Sequence, residues 1–186
     1  MKVSKKLIAH WIDEYCNSTS ATAVLNRKLS EKLIHRLQCD RKEGDLNVSK
    51  RWLAHINDEL PSFNDCSDFE SILKKVEELS GKFYGIGRLT VYDTATCIGC
   101  PKKIRPTDVY IHAGTSVGAK AIGIKGNVVP KSEFVKVCKA FAKLEPMQIE
   151  DFLCIYKSYL SGEVDTCAKV RKRCICSGDS DSNGSC

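Results

Sequence analysis

The sequence predicts an all-α protein, a multi-helix globular domain. Apolar residues recur at three- and four-residue spacing through most of the chain, which is the period of a helix with one buried face. No run alternates apolar and polar residues long enough to read as a strand. The helical runs are separated by residues that start or stop helices, among them Pro61, Asp68, Gly81, Pro130 and Pro146.

The first helix carries Leu7, Ile8, Trp11, Ile12 and Tyr15 on one face. A longer one is expected from Ser20 to Leu37, with Val24, Leu25, Leu29, Leu33 and Leu37 on its stripe. After the polar loop "DRKEGDLN", Trp52, Leu53, Ile56 and Leu60 mark a helix that Pro61 stops. Asp68 begins the next, with Phe69, Ile72, Leu73, Val76 and Leu79 inward, and Gly81 ends it. A helix from about Leu89 to Ile98 leads into the basic, proline-containing loop "GCPKKIRPTD". Asp108 is placed to cap a helix reaching Ile122, closed by Gly123 and Gly126. Pro130 fits the first turn of a helix through Leu144, and Pro146 opens another carrying Ile149, Phe152, Leu153, Ile155, Tyr156 and Leu160. The last ten residues, "SGDSDSNGSC", have the composition of a disordered tail. The expected divisions are 1–66, helices that complete the core; 67–127, the segment around the paired glycines; 128–176, further helices and a basic stretch; and the tail 177–186.

The 186 residues are 42% hydrophobic and 28% charged, a globular composition, with a formal net charge of +6. No apolar run approaches the roughly 18 residues of a membrane span, so no membrane association is expected. His10, Asp13 and Glu14 interrupt what would be the apolar core of a signal peptide. The expected location is therefore cytoplasmic or nuclear, not secreted. Eleven cysteines, irregularly spaced, argue against a disulfide framework. Cys16, Cys39, Cys138 and Cys154 fall within helical patterns and read as small buried side chains. Cys97 and Cys100 form a CxxC that, with Cys167, Cys174 or Cys176, offers an alternative reading as a zinc or redox site.

The stretch "KFYGIGRLTVYDTATCIG" departs from its surroundings. Gly85 and Gly87 bracket Ile86 between two helical runs. Glycine belongs where the backbone needs positive φ or where another group comes very close. Ile86 is suited to fill the gap between the helices, and the turn leaves amides facing outward at the start of the second one. Such a helix end binds phosphate, and Arg88 adds positive charge there. No strand precedes these glycines and the third glycine is missing, so a dinucleotide fold is set aside. No cofactor is expected.

The order helix, Phe83-Tyr84-Gly85-Ile86-Gly87-Arg88-Leu89-Thr90, helix resembles the helix-hairpin-helix motif. Most of Ser67 to Gly126 resembles the corresponding half of the helix-hairpin-helix DNA glycosylases. The resemblance implies a glycosylase-like, all-α scaffold that binds double-stranded DNA through its phosphate backbone, a contact nearly blind to sequence. It implies contact residues Tyr84, Gly85, Ile86, Gly87, Arg88 and Thr90, with Lys102, Lys103 and Arg105 in the basic loop. The chain departs from the family in two places. The usual aspartate would fall around Tyr110 to Gly114, where no carboxylate stands, and the nucleophilic lysine of bifunctional members corresponds to Leu89.

Tyr110 and His112 stand there instead, either as a ring to stack on a base and an imidazole for acid–base work, or as a core tyrosine and a hydrogen-bonded histidine at a helix end. Asp108 and Asp93 are the nearby carboxylates, and Asp93 is placed to pair with Arg88 or His112, or to satisfy a buried donor. The candidate set for base processing is thus His112, Tyr110, Asp108 and Asp93; the alternative is a DNA-binding adaptor without catalysis. Between Gly81 and Asn127 there are seven basic and two acidic residues, so most of the net charge gathers around the hairpin. "KVRKRC" forms a second basic cluster further on.

Overall fold

The computed structural model describes residues 3–29 and 46–163. The expected helix beyond Leu29, Cys39, the basic "KVRKRC" segment, the terminal cysteines and the tail lie outside the described residues. The helices are α1 (Lys5–Cys16), α2 (Thr19–Leu25), α3 (Leu46–Glu59), α4 (Phe69–Ser80), α5 (Arg88–Gly99), α6 (Ala113–Ala121), α7 (Lys131–Val137), α8 (Pro146–Ile155) and α9 (Lys157–Leu160). Short 3-10 turns cover Leu60–Phe63, Cys100–Lys102 and Lys139–Lys143. Strands β1 (Asp108–Tyr110) and β2 (Val128–Pro130) pair antiparallel, with Val109 opposite Val129. The mostly helical class is therefore as the periodicity indicates.

The side chains gather into two main apolar clusters. Trp52, Ile56, Phe63, Phe69, Ile72, Val76, Val91, Tyr92, Ala95 and Ile98 join α3, α4 and α5 into one. Trp52 Nε1 donates to Thr94 Oγ1 at 3.0 Å, and that hydroxyl donates to the Thr90 carbonyl at 2.8 Å, so the indole is both buried and satisfied. The other cluster brings Ile8, Ile12 and Tyr15 of α1 against Phe134, Phe141, Phe152 and Leu160. Residues 1–66 are thus divided, α1 joining the helices after Ala113 and α3 joining the hairpin. A small group of Val24, Cys100 and Met147 lies apart from both clusters.

Four local expectations are corrected. The helix beginning near Ser20 ends at Leu25, because the last carbonyls find other donors: Arg105 Nη2 reaches Leu25 O at 3.3 Å and Asn26 Nδ2 reaches Thr22 O at 3.0 Å. Asp108 does not cap a helix. It sits in β1, and the N-cap of α6, His112, comes four residues later. Strand was not foreseen, since three residues are too few to reveal alternation; what holds them is pairing with a partner twenty residues away, extended by Ile111 N donating to Asn127 O at 2.7 Å. The helix from Pro130 does not reach Leu144. Cys138 turns to extended geometry (φ −147°, ψ 125°), and the chain resumes in a 3-10 turn that seats Phe141 against Phe134 and Phe152, with ring centroids 5.6 and 5.7 Å away.

The close approaches depend on glycine in two places. A Cβ on Gly118 in α6 would stand 2.5 Å from the Leu153 carbonyl oxygen in α8, and one on Gly99 would stand 2.4 Å from Ile104 O. The first lets α6 lie directly on α8; the second lets the basic loop fold back on the end of α5.

Candidate functional site

The chain turns between α4 and α5 at the paired glycines. Asp68 caps α4, its carboxylate accepting from Ser71 N at 2.7 Å, and the hydrogen bonds it receives hold its pKa below the usual carboxylate range. After α4 the chain turns with Phe83 N donating to Ser80 O at 2.9 Å. Gly81 has an ordinary right-handed φ of −58°; the positive φ occurs at Gly85, at 91°. Ile86 packs part-buried on the α3–α5 cluster, as a plug between helices. Tyr84, Gly85, Gly87 and Arg88 face solvent, and Tyr84 is 100% exposed.

Gly87 is the N-cap of α5, with no side-chain cap and φ −91°, ψ 171°. That geometry suits any residue, and a Cβ there would meet nothing within 4 Å. Gly85 is thus explained by its backbone and Gly87 is not explained by the chain itself. The first-turn amides of Arg88 and Leu89 have no acceptor within the helix.

Between this turn and the start of α6 lies a cleft of about 700 Å³. Gly87, Arg88 and Leu89 form one side; Ile111, His112, Ala113 and Ser116 face them; Lys120, Lys125 and Asn127 complete it. Positive φ at Gly123 and Gly126 shapes the loop that carries Lys125. Among the described residues that line it there is no aspartate or glutamate. Two helix N-termini therefore open on the same space, together with three basic side chains.

Among the four candidates for base processing, His112 lines the cleft and the others do not. His112 N donates to Thr115 Oγ1 at 2.8 Å, which fixes the start of α6. Its ring lies 4.8 Å from that of Tyr92, and Nε2 is buried without a hydrogen-bond partner. Burial lowers its pKa, and Arg88 and Arg27 push the same way against the opposing Asp93, so the imidazole is neutral at pH 7. Of the two readings of Tyr110, the ring contacts fit the core one: it packs against Phe69 and Tyr92, with centroids 5.6 and 5.2 Å away, and does not line the cleft. Asp108 is held in β1.

Asp93 pairs with neither Arg88 nor His112. Its Oδ1 accepts from Arg27 Nη1 at 2.7 Å, and both side chains are largely buried. Burial works against the Arg27 charge, but Asp93, with Glu150 beyond it, outweighs this and holds the guanidinium firmly protonated. Arg27, far away in sequence and carrying no motif, was not among the predicted site residues.

Three residues expected to contact DNA are occupied otherwise. Thr90 is buried, at 6% exposure. Lys102 Nζ donates to Phe63 O at 2.8 Å, and Arg105 is spent on Leu25 O. Lys103 is exposed but does not line the cleft. Lys120 and Lys125, which do, entered the sequence reading only through the local charge count; the glycines flanking Lys125 were the available signal. Cys97 and Cys100 are both buried, and burial pushes the Cys100 thiol up; among the described residues no group of three or more His, Cys, Asp or Glu is placed to hold a metal ion. Nor is any described helix long and apolar enough to cross a membrane.

Comparison with protein-family models, curated proteins and solved structures found no match.

Proposed function

We propose that this protein binds double-stranded DNA through the α4–α5 hairpin, as a helix-hairpin-helix module on a glycosylase-like scaffold. The observation that supports this most directly is Gly87: neither its backbone angles nor its neighbours require glycine, and the space a side chain would fill lies over the uncapped start of α5. A phosphate oxygen occupying that space accepts from the Arg88 and Leu89 amides, and the Arg88 guanidinium strengthens the contact. Tyr84 stands beside it, available to a sugar or a base.

The cleft lining favours binding over base excision. His112 is neutral and can take a proton, but among the described residues no carboxylate shares the cleft with it to stabilise charge at a sugar. A panel of duplexes with damaged or modified bases is therefore expected to be bound and not cut, and release of any base would overturn the non-catalytic reading.

The binding itself is tested with Gly87→Ser. Serine is a better N-cap than glycine by a few tenths of a kcal/mol, so the variant is expected to be slightly more stable. Its hydroxyl competes for the same amides, so duplex affinity is expected to fall about tenfold, roughly 1.4 kcal/mol. Affinity of the wild-type chain is expected to fall about tenfold from ~50 to ~200 mM salt, as for about two neutralised phosphates. Equal affinity of variant and parent removes the hairpin as the contact.

A further inference from the structure

The cleft beside the hairpin carries more positive charge than contact at the bend employs. Arg88, Lys120 and Lys125 line it without an acidic residue, and none of them enters an ion pair among the described residues. Its lining also includes apolar surface. Ala119 and Ile124 are buried, and Ile111 and the 45%-exposed Leu89 add apolar flanks. At about 700 Å³ it has the capacity of a small-molecule site, far more than a single phosphate group fills.

We propose that the cleft receives the phosphorylated terminal nucleotide of a DNA strand. The inference rests on the hairpin reading above and names the feature of the DNA that the neighbouring site selects. A terminal phosphomonoester carries about −1.5 to −2 at neutral pH, with a second pKa near 6, against −1 for an internal phosphodiester. Lys120 and Lys125, the two lining cations that contact at the bend leaves over, match the larger charge. The apolar flanks suit the sugar and base edge. A chain end has one continuation to lead out of the cleft instead of two, and it is displaced from its stack more easily than an internal nucleotide. Asn127 and the Ser116 hydroxyl supply neutral hydrogen-bonding groups within the same lining.

The experiment uses the full chain and three labelled duplexes of one sequence, with hydroxyl ends, a phosphorylated 5′ end or a phosphorylated 3′ end, followed by fluorescence anisotropy at physiological salt. One phosphorylated end is expected to bind about tenfold more tightly than the hydroxyl end. In the double variant Lys120→Gln, Lys125→Gln that ratio is expected to fall to about one. The ratio is the readout, since losing two charges weakens all DNA binding alike. Inorganic phosphate and a free deoxynucleoside monophosphate are expected to compete only at concentrations about a hundredfold above that of the phosphorylated duplex. Equal binding of all three duplexes overturns end recognition while leaving the hairpin reading in place, as does a ratio that survives in the double variant. Equal competition by the free nucleotide shows a small-molecule site instead. Absence of binding to every duplex brings down the hairpin reading as well.

Discussion

Arg27 and Asp93 face each other across nearly seventy positions of sequence, at 2.7 Å and mostly out of water. A buried pair adds little relative to an apolar pair of the same volume, but removal of one partner leaves a charge with nothing to balance it. Arg27→Ala is expected to cost about 3–5 kcal/mol, while Arg27→Met combined with Asp93→Leu recovers most of that loss; urea unfolding of the three chains checks it. His112 makes a second prediction at this scale. The folded chain holds the imidazole neutral, whereas the unfolded chain protonates it below about pH 6.5. The unfolded state then binds more protons, so this contribution to stability is present above about pH 6.5 and declines as the pH drops toward the lower folded value. His112→Asn, which keeps an N-cap residue, is expected to flatten the dependence of unfolding free energy between about pH 6.5 and 5. Identical slopes for variant and parent would refute the assignment.

Packing between elements is decided by small residues as much as by large ones. The contact of α6 with α8 has no room for a methyl group at Gly118, because the obstacle is the Leu153 backbone and not a movable side chain. Gly118→Ala is expected to cost about 1–3 kcal/mol and, by displacing α6, to widen the cleft that His112 and Ser116 line. Gly87→Ser makes the opposite case, with open space and a compatible backbone. The same two-variant comparison, by thermal melt and duplex titration, separates a glycine that the fold requires from one that the proposed DNA contact would require. The pair Gly85 and Gly87 was legible as a turn between helices from its spacing alone. Which of the two takes the positive φ was not, since that depends on how the turn is closed.

Across the whole molecule, α1 closes the cluster built from the later helices. Ile12 is fully buried there, next to side chains over a hundred residues away. Ile12→Ala is expected to lose about 2–5 kcal/mol, a large share of a domain's usual 5–15 kcal/mol. Leu7, on the same helix but 41% exposed, is expected to tolerate alanine within about 0.5 kcal/mol. Equal losses in a denaturant titration would mean that α1 is not seated as described.

The sequence by itself determined the helical class, most helix positions and the turn between α4 and α5, because these follow from interactions within a few residues: apolar spacing in α4, the Asp68 cap, the stop at Pro61, the Gly-Ile-Gly turn. It also located the excess of positive charge, which composition records without reference to shape. Only the tertiary structure decided the strand at Asp108, the early end of α2, the break at Cys138, the Arg27–Asp93 pair and the meeting of Arg88, Lys120 and Lys125 around one cleft. Each of these depends on a partner brought close by folding, and a chain read in order carries no distance between residues that lie far apart along it.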